Sequence, residues 1–178
     1  RALLELGAKE VSILDPDDIE PIVAELIATT DRARARKAQW KISQWKNALT
    51  TPAAAAKAAA DDDEAAAAGA YARYDDTLRA YQAVDFDDLI GLPIALLERD
   101  AAAAARWRER CGQLLVDEYQ DTNAAQYRLL RLLAGDRARL TAVGDDDQAI
   151  YGWSGASVEN LAQLSRDYPA LKGVTVEQ

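Results

Sequence analysis

The sequence contains no histidine and only one cysteine, and these two scarcities restrict the chemistry open to the chain. Without histidine, a Ser-His-Asp or Cys-His catalytic group and a histidine-ligated metal centre are excluded within this chain. Cys111 alone cannot form an internal disulfide or a multi-thiolate zinc site, so we expect a reducing, cytoplasmic location. Any catalysis must depend on carboxylates, amides, hydroxyls or cations.

Methionine and a long apolar run are absent as well, and we expect no signal peptide before the first helix. Alanine is abundant in residues 53–72, but four consecutive acidic residues interrupt this tract, which therefore favours a helix over a membrane span. We predict no membrane association. Because the 178 residues lack a start methionine and stop directly after an expected strand, we interpret the chain as a piece of a longer protein.

Basic residues are outnumbered, and the formal net charge of −9 disfavours nucleic-acid binding by the whole surface. Residues 31–50 are the exception, because they contain six lysines and arginines and only one acid, Asp31. We call the part from Arg32 to Lys46 the basic stretch. Its charge is compatible with contact to DNA phosphates, and equally with a solvated helix face.

The first hundred or so residues have the periodicity of helices, and we predict that they are all-helical. Asp15 before a proline is typical of a helix start, the basic stretch forms a second helix, and Thr51 begins a long third one. One face of the third helix is expected to carry Tyr71, Tyr74, Leu78 and Tyr81. Asp85 should cap a further helix that Pro93 bends. We therefore predict a mainly helical domain over residues 1–110.

From residue 111 the pattern changes to alternating strands and helices, which indicates an α/β domain over residues 111–178. The expected elements are a strand at 114–116, a helix begun by Asn123, a strand at 140–143, a helix capped by Ser157 and a strand begun by Val174. The run at 114–116 is short and uniformly apolar, as is typical of a buried parallel strand, and the run at 140–143 is a second apolar run. The fold class of the whole chain is predicted to be α/β.

Two adjacent carboxylates, Asp117 and Glu118, directly follow the first of these strands. Ligands of open parallel sheets bind at the carboxyl ends of strands. A strand-end aspartate can hold Mg²⁺ while its neighbour polarises a water that attacks a phosphate, which is the Walker B arrangement. Paired acids after a strand are also common as ordinary loop residues. A further alternative is a carboxylate-metal phosphohydrolase that also uses residues 145–147.

A second polar cluster, residues 143–156, follows the next strand. It contains three aspartates and Gln148, whose amide can contact a terminal phosphate without changing the local charge. Tyr151 and Trp153 are one residue apart, so both rings point to the same side of an extended segment and can stack on unpaired bases. Such an aromatic pair is, however, more often part of a hydrophobic core.

Taken together, these stretches resemble the UvrD/Rep-type superfamily 1 DNA helicases. Residues 117–122 (DEYQDT) resemble their motif II, and residues 144–156 resemble their motif III. Residues 84–90 resemble the Asp-Phe-Asp-Asp-Leu stretch that precedes motif II, and residues 45–47 (WKN) occur in an inserted helical subdomain of the family. The resemblance spans nearly the whole chain. It implies a helical subdomain followed by part of a RecA-like (P-loop NTPase) parallel sheet with flanking helices.

The resemblance also implies ATP and Mg²⁺ as cofactors and a helicase that moves 3'-5' on single-stranded DNA and unwinds duplex junctions. Asp117 would coordinate Mg²⁺, Glu118 would activate the hydrolytic water, and both would bind the nucleotide with Gln148 as the sensor of its terminal phosphate. The residues implied in DNA binding are Tyr151, Trp153 and Lys46. The remainder of the helicase chain would be a further partner, and the oligomeric state is not implied.

Two positions depart from the family pattern, and one motif is missing. Ala149 stands where the family usually has Ser, and Ser154 stands where it has Arg, so the loop loses a cation. The sequence contains no Gly-x-x-x-x-Gly-Lys-Thr/Ser phosphate-binding loop. We therefore expect the chain alone to be inactive as an ATPase. The alternative function is a non-catalytic DNA-binding or interaction module.

Overall fold

The computed structural model describes residues 11–137, 139–145 and 159–174, in which helices predominate and two small parallel sheets occur. The helices are α1 Pro16–Leu26, α2 Arg32–Asn47, α3 Pro52–Ala58, α4 Asp62–Ala80, α5 Asp88–Arg99, α6 Ala101–Arg110, α7 Ala124–Ala134 and α8 Glu159–Asp167. The strands are β1 Ser12–Ile13, β2 Ala83–Val84, β3 Leu114–Val116 and β4 Leu140–Ala142, and short 3-10 turns occupy Tyr119–Asp121 and Gly135–Arg137. Within the described ranges, no helix has the length and apolar character needed to cross a membrane.

Polar side chains begin the helices at the predicted places. Asp15 accepts the backbone N–H of Asp18 at 2.9 Å, and the Asp18 side chain accepts that of Asp15, which forms a capping box at the start of α1. Asn123 and Gln126 form the same reciprocal pair at the start of α7. These bonds satisfy N–H groups that have no partner inside the helix, and they confirm both predicted helix starts.

The helix predicted from Thr51 is in fact two helices. Thr51 caps α3 as expected, but α3 ends at Ala58. Asp61 then accepts the backbone N–H of Glu64 at 2.7 Å and begins α4. The acidic run therefore starts a new helix, since carboxylates are favourable at the positive end of the helix dipole.

The first hydrophobic core lies between α1, α2 and α4. Its fully buried side chains include Val23, Ile42, Tyr74 and Leu78. Trp45 stacks on Tyr71 with ring centroids 6.0 Å apart. The predicted inner face of α4 is thus confirmed except for Tyr81, which follows the end of the helix and is 64% exposed.

The prediction of an all-helical first part was wrong at β1 and β2. These two strands pair in parallel, with Ser12 opposite Ala83 and Ile13 opposite Val84. Strands of two residues are too short to show a period-two pattern in the sequence. β2 leads directly into Asp85, whose Oδ1 accepts the backbone N–H of Asp88 at 2.7 Å. The N-cap position of α5 is Asp87, whose side chain makes no capping hydrogen bond, so the predicted cap was placed two residues too early, although Asp85 does bind the first N–H group of the helix.

β3 and β4 form the second parallel pair, in the register Leu114 to Leu140 and Val116 to Ala142. Both strands are confirmed, with β4 one residue shorter than predicted, and α7 lies in the connection between them, as a parallel pair requires. The prediction that they are buried was wrong in part, because Leu115 is 77% exposed and Thr141 is exposed too. Their core contains Tyr119, Tyr127, Leu130, Ala134, Leu140, Leu164 and Tyr168. The Ser157 cap and the last two residues of the predicted strand at 174–176 lie outside the described residues.

Candidate functional site

The carboxyl ends of β3 and β4 lie side by side. The N–H of Val143 donates to the carbonyl of Val116 at 2.8 Å, and the N–H of Tyr119 donates to the carbonyl of Val143 at 3.0 Å. Asp117 and Glu118 therefore leave β3 beside the point where Gly144 and Asp145 leave β4. The structure brings the first residues of the two predicted polar clusters together at one edge of the sheet, where parallel sheets bind ligands.

The turn after β3 presents both predicted carboxylates to solvent. Asp117 and Glu118 are exposed, and Asp117 Oδ1 accepts the N–H of Glu118 at 3.0 Å. Glu118 has φ 49° and ψ 42°, in the left-handed region. This backbone conformation costs a non-glycine residue roughly 1–2 kcal/mol, so the surrounding structure must hold it. The next residue, Tyr119, is fully buried and anchors the turn in the core.

Gln120 connects the two strand ends, a contact that the sequence analysis did not predict. Its Nε2 donates to Glu118 Oε2 at 2.6 Å, and its Oε1 accepts the backbone N–H of Asp145 at 3.0 Å. Gln120 itself is only 5% exposed. A carboxylate oxygen can only accept and a backbone N–H can only donate, so both partners require the same orientation of the amide.

An open cleft of about 420 Å³ lies beside the two carboxylates. Asp117, Glu118 and Thr122 form its polar side, and leucines of α7, Leu129 and Leu133 among them, form its apolar side. A cleft with convergent polar groups on one side and apolar groups on the other is typical of a small-molecule site.

The residues present fit a magnesium site that a nucleotide completes. Within the described parts of the chain, no group of three or more His, Cys, Asp or Glu residues could hold a metal ion. Mg²⁺ in phosphate-transfer sites usually takes one or two protein carboxylates, with phosphate oxygens and water as the other ligands. The exposed carboxylate of Asp117 suits such a site. The phosphohydrolase alternative depends also on Asp146 and Asp147, which lie outside the described residues.

Three predicted site residues also lie outside the described residues. These are Gln148, Tyr151 and Trp153, and the departures Ala149 and Ser154 belong to the same stretch. Their roles stay predictions. The described part of the second polar cluster ends at Asp145.

Lys46, predicted to contact DNA, is buried among acids instead. Its Nζ lies 2.7 Å from carboxylate oxygens of both Asp85 and Asp88 and 3.6 Å from Asp75, and its side chain is 9% exposed. Burial opposes the ammonium ion, but the two nearer carboxylates outweigh burial and raise the pKa of Lys46 above its ordinary value. We therefore correct the prediction, because a buried ammonium with these partners is not presented to a DNA phosphate.

The rest of the basic stretch is paired within the chain too. Glu20 binds Arg32 and Arg36 at 2.5 Å each, and Asp63 binds Arg34 at 3.1 Å and Lys37 at 2.9 Å. These ion pairs connect α2 to α1 and α4. Their arrangement favours the interpretation of the basic stretch as a solvated, ion-paired helix face.

The stretches at residues 45–47 and 84–90 meet the start of α7 through a polar network. Asn47 Nδ2 donates to Asp87 Oδ1 at 2.8 Å, and Asn47 Oδ1 accepts from Asn123 Nδ2 at 2.8 Å. Asn123 also begins α7, directly after the turn that carries Asp117 and Glu118. Three separate parts of the sequence, namely residues 45–47, residues 84–90 and the start of α7, thus meet directly after the turn that carries the two carboxylates.

Comparison with known proteins gives the family that the chain resembles. The profile of the UvrD/REP helicase N-terminal domain matches residues 3–169. The chain is 45% identical to the ATP-dependent DNA helicase Rep of Escherichia coli strain K12, over 100% of this chain and 27% of that protein. It is 38% identical to the ATP-dependent DNA helicase PcrA of Staphylococcus epidermidis, over 96% of this chain and 24% of that protein. The chain spans about a quarter of the length of these relatives.

Proposed function

Because this chain belongs to the UvrD/REP helicase N-terminal domain family, we propose that it is part of an ATP-dependent DNA helicase whose nucleotide site includes the ends of β3 and β4. One observation carries the proposal, namely that Asp117 and Glu118 lie beside Gly144 and Asp145 at the same sheet edge, joined through Gln120. This edge is where phosphate-transfer sites of parallel sheets are built.

We further propose that residues 1–110 form the inserted helical subdomain and residues 111–178 form part of a RecA-like motor domain. The two hydrophobic cores support a division into two parts, while α5 and α6, which precede residue 111, pack mainly against each other and against α7. The buried residues of the first core lie between Ile19 and Ala83, and those of the second lie between Tyr119 and Tyr168. Both sides of the proposed boundary therefore have a core of their own.

In the proposed site, Asp117 would hold a magnesium ion when ATP is bound. The ion would neutralise phosphate charge. Glu118 accepts a proton from the water that attacks the terminal phosphorus. Gln148 contacts the terminal phosphate, while Tyr151 and Trp153 stack on bases of single-stranded DNA. The nucleotide and the DNA would thus contact one short segment of the chain, which suits a protein that couples hydrolysis to movement on DNA. Movement in the 3'-5' direction and action at duplex junctions are proposed from the family resemblance alone.

ATP hydrolysis by the full-length protein tests the proposal directly. We expect magnesium-dependent turnover that single-stranded DNA stimulates, and no turnover by the 178-residue chain alone, because its sequence contains no phosphate-binding loop. The measurement is phosphate release with and without DNA for both proteins. Clear turnover by the chain alone would show that the nucleotide site is misassigned. A full-length protein that binds DNA and never hydrolyses ATP would instead indicate a non-catalytic DNA-binding module.

Trp153→Ala in the full-length protein should weaken single-stranded DNA binding by about 1–3 kcal/mol with little dependence on base sequence, because every base offers a ring face for stacking. Basal ATP hydrolysis should largely survive. Fluorescence anisotropy with oligonucleotides of different sequence measures the affinity. Trp40, which is 52% exposed on α2, provides the control, and Trp40→Ala should leave DNA affinity unchanged. Unchanged affinity in Trp153→Ala, accompanied by a lower melting temperature, would assign Trp153 to a hydrophobic core.

A further inference from the structure

We propose that Gln120 is a positioning residue that connects the carboxylate of Glu118 to the segment after β4, so that movement of that segment changes the placement of the carboxylate. This inference rests on the proposed function, because it assumes that Glu118 acts on the hydrolytic water. It also assumes the proposed DNA contact of that segment, and it adds a route by which DNA binding there would control hydrolysis.

The Gln120 amide forms hydrogen bonds with Glu118 after β3 and with Asp145 after β4 at the same time. One end of the amide donates to the Glu118 carboxylate at 2.6 Å, and the other end accepts from the Asp145 backbone at 3.0 Å. The two partners lie 2 and 25 residues away along the chain. A single planar group therefore links the end of one strand to the end of the next, and rotation of the amide would break both bonds.

The chain directly after β4 leaves space for the Gln120 amide, because residue 144 is a glycine. A Cβ atom at Gly144 would lie 2.8 Å from Oε1 of Gln120 and 3.3 Å from its backbone nitrogen. Any larger residue at position 144 would force the amide away. The absence of a side chain at Gly144 therefore allows the close approach by which Gln120 reaches the N–H of Asp145.

The backbone that carries Gln120 is held in place by hydrogen bonds and by a buried neighbour. Its 3-10 turn is closed by hydrogen bonds from the N–H of Asp121 to the Glu118 carbonyl at 3.0 Å and from the N–H of Thr122 to the Tyr119 carbonyl at 3.1 Å. Tyr119 is fully buried beside it. The backbone of the turn is thus held in the core, and the Gln120 side chain can transmit a shift of residue 145 to the carboxylate of Glu118.

Coupling between two binding sites is reciprocal. If DNA binding changes the affinity for the nucleotide, nucleotide binding must change the affinity for DNA by the same factor. A shift of the second polar cluster on DNA binding would reposition Glu118. A change at Glu118 in the nucleotide cycle would likewise be transmitted through Gln120 to residue 145, from which the chain continues to Gln148, Tyr151 and Trp153.

The experiment compares two replacements of Gln120 in the full-length protein. Gln120→Glu keeps an acceptor for the Asp145 N–H, but it loses the donor to Glu118 and places two carboxylates together. Gln120→Met has a similar length and neither hydrogen-bonding group. The readouts are kcat and KM for ATP, each with and without saturating single-stranded DNA, together with the melting temperature.

We expect both variants to reduce DNA stimulation of kcat by about tenfold, because a misplaced general base loses part of the roughly 10²- to 10⁴-fold that such a group contributes, while KM for ATP changes far less. Gln39→Met is the control, because it removes another glutamine amide, which donates to the carbonyl of Pro16 at 3.0 Å in the helical part of the chain. This variant should keep full DNA stimulation. A lower melting temperature with normal DNA stimulation in the Gln120 variants would overturn the proposal and leave Gln120 a purely structural role.

Two further variants keep the test decisive. Gly144→Ala displaces the Gln120 amide without replacing it, so this variant should lose DNA stimulation even if a Gln120 variant fails to fold; normal stimulation in Gly144→Ala would overturn the proposal. Glu118→Gln distinguishes failure of the coupling role of Gln120 from failure of the proposed function. If Glu118→Gln is inactive while the Gln120 and Gly144 variants respond normally to DNA, only the coupling role fails. If Glu118→Gln hydrolyses ATP normally, the proposed function fails and the coupling role fails with it.

Discussion

Glu118→Gln in the full-length protein is expected to lower kcat for ATP hydrolysis by about 10²- to 10⁴-fold and to leave nucleotide binding nearly intact. The change removes the proposed proton acceptor while keeping the size and shape of the side chain. The new amide can still accept a hydrogen bond from Gln120 Nε2, which lies 2.6 Å from the native carboxylate, so the turn after β3 should be preserved. Single-turnover hydrolysis and the binding of a fluorescent ATP analogue in the presence of Mg²⁺ measure the two quantities separately.

Two comparison variants make this result interpretable. Glu109→Gln makes the same change of charge at an exposed position near the end of α6, and it should hydrolyse ATP normally. Asp117→Ala should instead weaken the binding of the magnesium-nucleotide complex, because it removes the proposed protein ligand of the ion. If Glu118→Gln and Asp117→Ala lost nucleotide binding to the same extent, the division of roles between the two carboxylates would be wrong.

The parts of this fold that the sequence predicted are those with local causes. Asp15 and Asn123 lie three residues from their capping partners, so the helix starts are visible in short windows of sequence. β3 and β4 are short, largely apolar runs that end at polar residues, which indicates two strands and the end of the sheet at which a ligand binds. Their predicted burial did not follow, since Leu115 is 77% exposed. The placement of Asp117 and Glu118 at the end of β3 follows from the same local pattern.

The parts that the sequence did not predict depend on distant partners. Lys46 has the sequence context of an exposed helical cation, and only the fold brings it to Asp85 and Asp88, which are 39 and 42 residues away. Gln120 likewise has no distinguishing pattern around it, because its second partner is 25 residues away. Local periodicity reports which face of a helix is buried, and it carries no information on which charges meet across the core.

Lys46→Met is expected to lower the free energy of unfolding by about 3–5 kcal/mol, the usual cost of removing one partner from a buried ion pair. The lysine is the shared partner of Asp75, Asp85 and Asp88, whose side chains are between 6% and 31% exposed. Tyr74 also donates to Asp85 at 2.7 Å, but a neutral hydroxyl cannot replace the lost positive charge. Denaturant unfolding of the purified protein measures the effect.

The Lys46→Met effect should also depend on pH. Burial raises the pKa of Asp75 and of Asp88 above the ordinary value of 3.8, even though Lys46 acts to lower both. Since the folded state holds these protons more tightly than the unfolded state, stability from these groups is lost as the pH rises through the raised values. Without Lys46 the values should rise further. We therefore expect the destabilisation by Lys46→Met to be largest at neutral pH and to shrink as the pH falls towards 4.

Two variants distinguish a buried charge cluster from a general effect of losing an ion pair. Arg79→Met breaks an exposed pair with Asp76, in which both side chains are more than 70% exposed, and this should cost less than about 1 kcal/mol. Adding Asp88→Asn to Lys46→Met should recover part of the lost stability at neutral pH, because one uncompensated carboxylate is then removed. Two results would contradict this account: a cost of Lys46→Met no larger than that of Arg79→Met, or a double variant less stable than Lys46→Met alone. In either case the buried carboxylates would not depend on Lys46. The DNA contact that the burial of Lys46 argues against would then have to be considered again.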